Sequence, residues 1–161
     1  MRSKLVGLVI GLLTVAFVAL SGVGGALYWN RVTQRGEQAA SAELPQLAAE
    51  QIPKVFGYDY QTVERSLMET YPLLTPGFRQ QFEQDAAAKV IPEARKRQLV
   101  VQISIVGVGV MAAQRDSGSV LVYMNRTVTD KSRQPLYDGS RLQVDYRKVD
   151  GDWLINEIKP I

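Results

Sequence analysis

The 161-residue chain contains no cysteine and no histidine. Without cysteine it can form no disulfide, and lipid attachment at a cysteine, as in lipoproteins and palmitoylated proteins, is excluded. Without either residue the usual nucleophile–base pairs and ordinary metal-binding triads cannot be built. We therefore expect a non-enzymatic protein with no catalytic residues, no metal and no cofactor.

Neither sign of charge dominates, because 19 Lys and Arg residues stand against 16 Asp and Glu. Arg2 and Lys4 precede a long apolar run, so the part after that run is almost neutral. The one dense basic cluster, Arg95-Lys96-Arg97, is too small for a phosphate-binding face. We interpret it as a solvated junction and expect no nucleic acid among the partners.

Residues 5–29 form a run without any charge. Roughly 20 apolar residues are enough for a helix to cross a hydrocarbon core of about 30 Å. Tyr28 and Trp29 end the run, and aromatic rings of this kind prefer the headgroup layer. The run predicts a transmembrane anchor over residues 1–30. A cleaved signal peptide with small residues at Gly24 and Ala26 is the alternative, but the run exceeds the usual apolar region of a signal.

Basic residues near the two ends of the run are equal in number, so the positive-inside rule gives no orientation. The four residues before it are too few to fold. We therefore expect a single-pass protein of the cell membrane with a cytoplasmic N-terminus. A membrane-proximal helix over 31–55 and an extracytoplasmic domain over 56–161 would follow.

Small residues recur along one side of the predicted span. Such a stripe lets membrane helices approach closely, although glycine is common in spans that dock on nothing. We interpret the stripe as a candidate docking face for other transmembrane helices. Its main positions are Gly7, Gly11, Gly22 and Gly25.

Short helices are predicted after the span. Residues 36–55 are rich in Ala, Glu and Gln but contain Pro45 and Pro53, which predicts a broken or kinked helix. A second helix should follow Thr62, whose hydroxyl can cap it. A third should open at Thr75-Pro76, with Phe78 and Phe82 on its buried face and Pro92 ending or bending it.

Alternating apolar residues then predict four strands, over 99–106, 119–128, 141–149 and 152–159. Gly107 and Gly109 suggest a bulge, residues 129–139 a polar loop, and Asp150-Gly151 a two-residue hairpin. The inward residues should include Leu142, Val144 and Tyr146. The predicted fold class is α+β, with short helices packed on a curved, four-stranded antiparallel sheet.

This order of elements, ending in Gly-Asp-Trp-Leu-Ile, resembles the cone-shaped fold of nuclear transport factor 2 (NTF2) and ketosteroid isomerase. Together with the predicted span, several strings resemble the Mce-associated membrane proteins of actinobacteria over nearly the whole chain. Those strings are residues 56–63 (Phe-Gly-Tyr-Asp-Tyr-Gln-Thr-Val), 74–82 (Leu-Thr-Pro-Gly-Phe-Arg-Gln-Gln-Phe), 108–110 (Val-Gly-Val) and 149–155 (Val-Asp-Gly-Asp-Trp-Leu-Ile). This chain differs from that family in its first helix. The family's helix is Ala-rich without interruption, whereas this chain carries Pro45 and Pro53 there.

The resemblance implies an accessory subunit of an Mce lipid-import complex of the cell envelope. Its implied partners are Mce substrate-binding proteins and permease subunits of an ABC transporter. The positions that match the family strings are expected to be structural. They are Tyr58, Asp59, Tyr60, Thr75, Pro76, Phe78, Gly151 and Trp153.

Three alternatives remain. A scaffold subunit of a type IV secretion-like complex joins one span to the same fold. An NTF2-like domain could instead bind a hydrophobic ligand. It could also be an enzyme, with Asp59 between two tyrosines as its acid or base, although an Asp near a helix start more often accepts hydrogen bonds from backbone amides.

We predict that the protein remains membrane-bound at its full length, because its apolar run is long enough to span the bilayer. Sequencing the N-terminus of the mature protein from membranes should give the residues that follow the initiator position. A new terminus at Leu27 would instead identify a cleaved signal peptide.

Overall fold

The computed structural model describes residues 34–161, of which Glu37–Ile161 form one compact unit. The predicted span and its glycines Gly7, Gly11, Gly22 and Gly25 lie outside the described residues. Among residues 34–161, no helix is both long and apolar enough to cross a membrane.

The first helix, α1, is helical over residues 34–56 without interruption. Contrary to the prediction, it is not broken at Pro45 or Pro53. Each proline removes one backbone hydrogen bond, but one stripe of the helix is fully or almost fully buried, and this burial offsets the loss. The stripe consists of Ala40, Leu44, Ala48, Ile52 and Val55.

The next helices are α2 (Val63–Thr70), α3 (Pro76–Asp85) and α4 (Ile91–Arg97). A 3₁₀ turn, Tyr71–Leu73, follows α2, and a π-helical turn, Ala86–Val90, joins α3 to α4. The predicted helix starts after Thr62 and at Pro76 are confirmed. Pro92 does not end the helical run, which continues from α3 through the π-helical turn into α4. The π-helical turn just before Pro92 already interrupts the regular hydrogen bonds that a proline would otherwise break.

The predicted cap at Thr62 is wrong. Thr62 has φ −118° and ψ 7°, which is not the extended conformation of a capping residue, and its hydroxyl makes no cap hydrogen bond. Its oxygen instead lies 3.5 Å from the Ser66 hydroxyl.

The sheet has five antiparallel strands in sequence order, not four. The additional strand, β1, has only two residues, and they pair with Val100 and Val101. The four predicted strands are confirmed, with different lengths. The strands are β1 (Tyr58–Asp59), β2 (Val100–Ala113), β3 (Ser117–Thr129), β4 (Pro135–Val149) and β5 (Asp152–Pro160).

The predicted loop over residues 129–139 is mostly strand. Pro135 pairs with Thr129, and Gly139 with Asn125, so β4 begins at Pro135 rather than at Arg141. A proline is tolerated as the first residue of a strand, and the cross-strand pairs override the turn signals of this segment.

The predicted irregularities in β2 and at the last hairpin are confirmed. The pairing of β2 with β3 shifts between Ile105 and Gly107, and again between Val110 and Ala112. Asp150 and Gly151 have φ of 52° and 100°. A two-residue turn with both φ values positive fits the twist of antiparallel strands.

The main core lies between α1 and one face of the sheet, called the inner face below. As the alternation predicted, the inward residues of β3, β4 and β5 are buried. They are Val120, Val122, Met124, Leu142, Val144, Tyr146, Trp153 and Ile155. A smaller cluster under α2–α4 contains Val63, Leu67, Ala86, Ala94 and Leu99.

Trp153 belongs to the main core, with 6 % of its surface exposed. We expect Trp153→Ala to lower the free energy of unfolding by about 3 to 5 kcal/mol, as for other large-to-small core substitutions. Denaturant titration of the fragment that starts at Arg31 measures this loss. Tyr137→Ala is the control, because Tyr137 is 74 % exposed. Equal stability of the Trp153 variant and the parent fragment would place the indole at the surface.

Candidate functional site

The Tyr58-Asp59-Tyr60 string contains strand β1 and begins the turn that leads into α2. The Asp59 carboxylate accepts a hydrogen bond from the Gln61 backbone N–H at 2.8 Å, and the Asp59 carbonyl accepts one from Thr62 N–H at 3.0 Å. Tyr58 and Tyr60 pack against the smaller cluster. Burial raises the pKa of Tyr58, although the Arg126 guanidinium opposes the change. This arrangement orders the chain and gives Asp59 a structural contact.

The inner face is where a fold of this kind would hold a ligand, and α1 occupies it. The α1 stripe packs there against buried residues of β3, β4 and β5. The Tyr146 hydroxyl donates a hydrogen bond to Gln51 Oε1 at 3.2 Å, and both residues are buried. Burial raises the pKa of Tyr146 far above its ordinary value, so its phenol stays neutral. The polar groups of this interior therefore satisfy each other.

The Thr75-Pro76 string lines a surface groove of about 460 Å³ between the start of α3 and the strands β4 and β5. The Thr75 backbone N–H donates to the Ile155 carbonyl at 2.9 Å, and its hydroxyl donates to Asn156 Oδ1 at 3.4 Å. These bonds fix the start of α3 against β5. The lining residues are Thr75, Pro76, Gly77, Phe78, Gln81, Arg147, Asn156 and Glu157.

This groove lacks a pair of carboxylates for acid–base chemistry. Glu157 is the one acid in its lining, and it is paired with Lys159 at 2.8 Å. The groove therefore offers a shallow, mixed polar and aromatic recess that suits contact with another molecule better than a reaction.

Trp153 and Gly151 lie at the last hairpin, away from α3. The Trp153 indole N–H donates to Glu43 Oε2 at 3.0 Å, which ties β5 to α1. The Lys148 ammonium lies 5.2 Å from the centre of the indole ring. Gly151 holds the left-handed backbone of the turn. Of the sequence-predicted positions within residues 34–161, the structure thus brings Thr75, Pro76 and Phe78 together in the groove and places the others elsewhere.

The basic cluster at the end of α4 is largely paired. Arg95 lies 2.9 Å from Glu64, and Arg97 lies 3.3 Å from Glu93, with all four side chains about half exposed. Exposed pairs of this kind contribute little to stability. Within residues 34–161, no group of three or more acidic side chains lies close enough together to hold a metal ion.

Sequence reasoning missed an apolar surface on β2. Val106, Val110 and Met111 are 65 %, 40 % and 54 % exposed. The available signal was the absence of charge from residue 99 to residue 113. Alternation shows which face of a strand is buried, but an uncharged strand at the edge of a sheet is itself unusual.

Comparison with known sequences finds no matching family model. Outer membrane protein Rv1973 of Mycobacterium tuberculosis is 27 % identical over 151 residues, which cover 94 % of each chain. A second protein of that organism, Rv1362c, is 26 % identical over 144 residues, covering 86 % of this chain and 66 % of its own length. The chain is therefore similar over nearly its full length to a mycobacterial outer membrane protein.

Several solved structures share the fold. An IcmL-like type IV secretion system protein from Legionella pneumophila matches with a TM-score of 0.62 at 12 % identity, covering 74 % of this chain and 92 % of its own. The periplasmic domain of DotI gives 0.61 at 14 %, covering 74 % and 94 %. VirB8 of Agrobacterium tumefaciens gives 0.54 at 13 %, covering 70 % and 85 %. The chain thus shares the α+β fold of these three domains.

Proposed function

We propose that this chain is a non-catalytic structural subunit of a multiprotein complex in the cell envelope. The observation that carries the proposal is the filling of the inner face by α1. An NTF2-like domain that binds a small molecule needs that space, and here the buried stripe of α1 packs against Val120, Val122 and Val144. What remains for function is the outer surface, where binding of other proteins is the natural role.

The comparisons support the envelope part of the proposal. The relative with 94 % coverage is an outer membrane protein, and DotI contributes a periplasmic domain to the structural matches. The IcmL-like protein and CagV of Helicobacter pylori, a VirB8 homologue, belong to type IV secretion systems, which are multiprotein assemblies. The fold by itself does not carry a function, so these likenesses support a class of role rather than a particular complex.

Within that class, we assign the chain to an Mce lipid-import complex as an accessory subunit. The family strings at residues 56–63, 74–82 and 149–155 support this assignment, as does the mycobacterial relative, since mycobacteria are actinobacteria. The partners would be Mce substrate-binding proteins and ABC-transporter permease subunits. The N-terminal anchor would lie in the cell membrane with the domain outside the cytoplasm.

A scaffold role in a type IV secretion-like complex is the second candidate. The VirB8-type fold favours it, because VirB8 and the IcmL-like protein belong to such systems. Against it stand the low identities, 12 % and 13 %, compared with 27 % for the mycobacterial relative.

Purification of the tagged full-length protein from membranes in mild detergent tests both candidates. Co-purification of Mce substrate-binding proteins and permease subunits is expected, whereas secretion ATPases would support the scaffold role. Recovery of the chain with neither set of proteins would contradict the proposed function.

The same purification tests the small-residue stripe of the predicted span. We expect Gly7→Ile with Gly11→Ile to leave insertion intact but to reduce co-purification of partners, because added bulk separates helix backbones without making the segment less apolar. Leu8→Ile with Leu12→Ile is the matched control, since it keeps the side-chain bulk on another side of the helix. Partner yields equal to the parent protein would place the contacts in the outer domain.

A further inference from the structure

The two edges of the sheet differ in how far they are closed. On the β5 edge, Ile155 bridges to Leu74 and accepts a hydrogen bond from Thr75 N–H. On the β2 edge, β1 pairs only with Val100 and Val101. Within residues 34–161, no strand pairs with the free side of residues 102–113. That side therefore presents a row of backbone donors and acceptors.

The amino-acid composition of the two edges also differs, and it too leaves the β2 edge more open to pairing. The β5 strand carries Asp152, Glu157, Lys159 and Pro160, which are residues that discourage pairing with another sheet. Residues 102–113 of β2 contain no charge and no proline. The β2 edge thus lacks the charged residues and prolines that commonly keep a sheet edge unpaired.

The core is also open towards β2. Val110 is 40 % exposed, although Val120, which lies directly opposite it on β3, is fully buried. Val108 is half-buried beside the fully buried Val122. At the β5 edge the corresponding core residue, Ile155, has no exposed surface. Another strand beside β2 would cover these valines and complete the inner face.

We propose that the β2 edge pairs with the β2 edge of a second copy of this chain. Antiparallel pairing about a two-fold axis places a strand against itself in reverse, so it requires only that the strand be compatible with itself. An uncharged edge meets this condition without repulsion. The inner faces of both copies then lie on the same side, and the exposed valines of one copy cover those of the other.

The bulges limit where the axis can lie. They fall at Val106 and Met111, where the pairing with β3 shifts. The stretch between them, residues 107–110, is regular in register and its last two residues are exposed. We place the two-fold axis at Gly109, so that Val108 of one copy faces Val110 of the other.

Single cysteines test the pairing without interference, because the natural chain has none. In membranes that contain the full-length protein, oxidation should shift Gly109→Cys from the monomer to the dimer band, because residue 109 faces its own copy across the axis and has open space for a side chain. A disulfide needs Cα atoms about 4.4 to 6.8 Å apart. Each residue step away from the axis separates the two copies by about twice the 3.3 Å strand rise. Gln102→Cys should therefore stay monomeric, and Tyr137→Cys, on the distant strand β4, is the exposure control.

Added charge provides the second measurement. Val110→Asp, introduced beside Gly109→Cys, should reduce the dimer band to the level of the Tyr137→Cys control, because each carboxylate would be buried against Val108 of the other copy. Tyr137→Asp in the same background should leave the band unchanged. Persistence of the dimer with Val110→Asp would assign the contact to another part of the chain.

Two results would overturn the proposal. One is equal cross-linking at Gly109, Gln102 and Tyr137, which would reflect random collision. The other is capture of a different envelope protein by the β2 cysteines, which would make β2 the docking edge for a partner strand. Neither result bears on the proposed function, which the co-purification experiment tests separately.

Discussion

Burial of the α1 stripe on the inner face is the interaction on which this domain depends. The sheet is a meander that exposes one apolar face, and α1 supplies the second layer that buries it. Its stripe contains two alanines, Ala40 and Ala48, which bring the helix close to the strands. Gly118 serves the same end, because a Cβ atom there would collide with the Leu44 side chain. Hydrogen bonds from Tyr146 to Gln51 and from Trp153 to Glu43 then fix the position of the helix along the sheet.

The same packing decides what the domain can do. Cone-shaped α+β folds become enzymes or ligand carriers when the space between sheet and helices is left open and lined with polar groups. Here that space holds the helix, and Tyr146 and Gln51, which are both buried there, hydrogen-bond to each other. Asp59, the acid with the most suggestive neighbours in the sequence, is engaged with the Gln61 amide. This packing supports the proposal that the domain acts through its outer surface.

The strands were predictable because half-buried antiparallel strands impose a strict two-residue period. Leu142, Val144 and Tyr146 follow that period, and all three are buried. Errors arose where local signals compete with tertiary contacts. Pro45 and Pro53 suggested a broken helix, but burial of α1 overrides them. Residues 135–139 carry turn-forming types, yet their pairing with β3 keeps them in a strand. A two-residue strand such as β1 has no period to detect.

The surface features were less predictable than the fold. Hydrogen bonds of Thr75 hold the start of α3 against β5, and the groove beside them is also lined by Arg147 and Asn156. Those residues are distant in sequence and show no motif. The openness of β2 was likewise missed, because alternation gives the buried face of a strand and not its neighbours. Whether a strand lies at the edge or in the middle of a sheet depends on the order of the strands, and hydrophobic alternation within one strand does not reveal that order.

Chain topology explains why the β2 edge is open at one end only. In a meander the first and last strands are edges unless other segments cover them. The segment between α1 and β2 returns over the start of β2, where Leu99 joins the cluster under α2–α4 and β1 pairs with Val100 and Val101. Because that cover stops there, the far part of β2 extends beyond it with bulges at Val106 and Met111. Bulges twist a strand edge and so restrict which strands can pair with it. The uncovered β2 edge is therefore apolar, but its bulged shape limits which strands can pair with it. This restriction distinguishes it from an edge that would aggregate with any exposed strand.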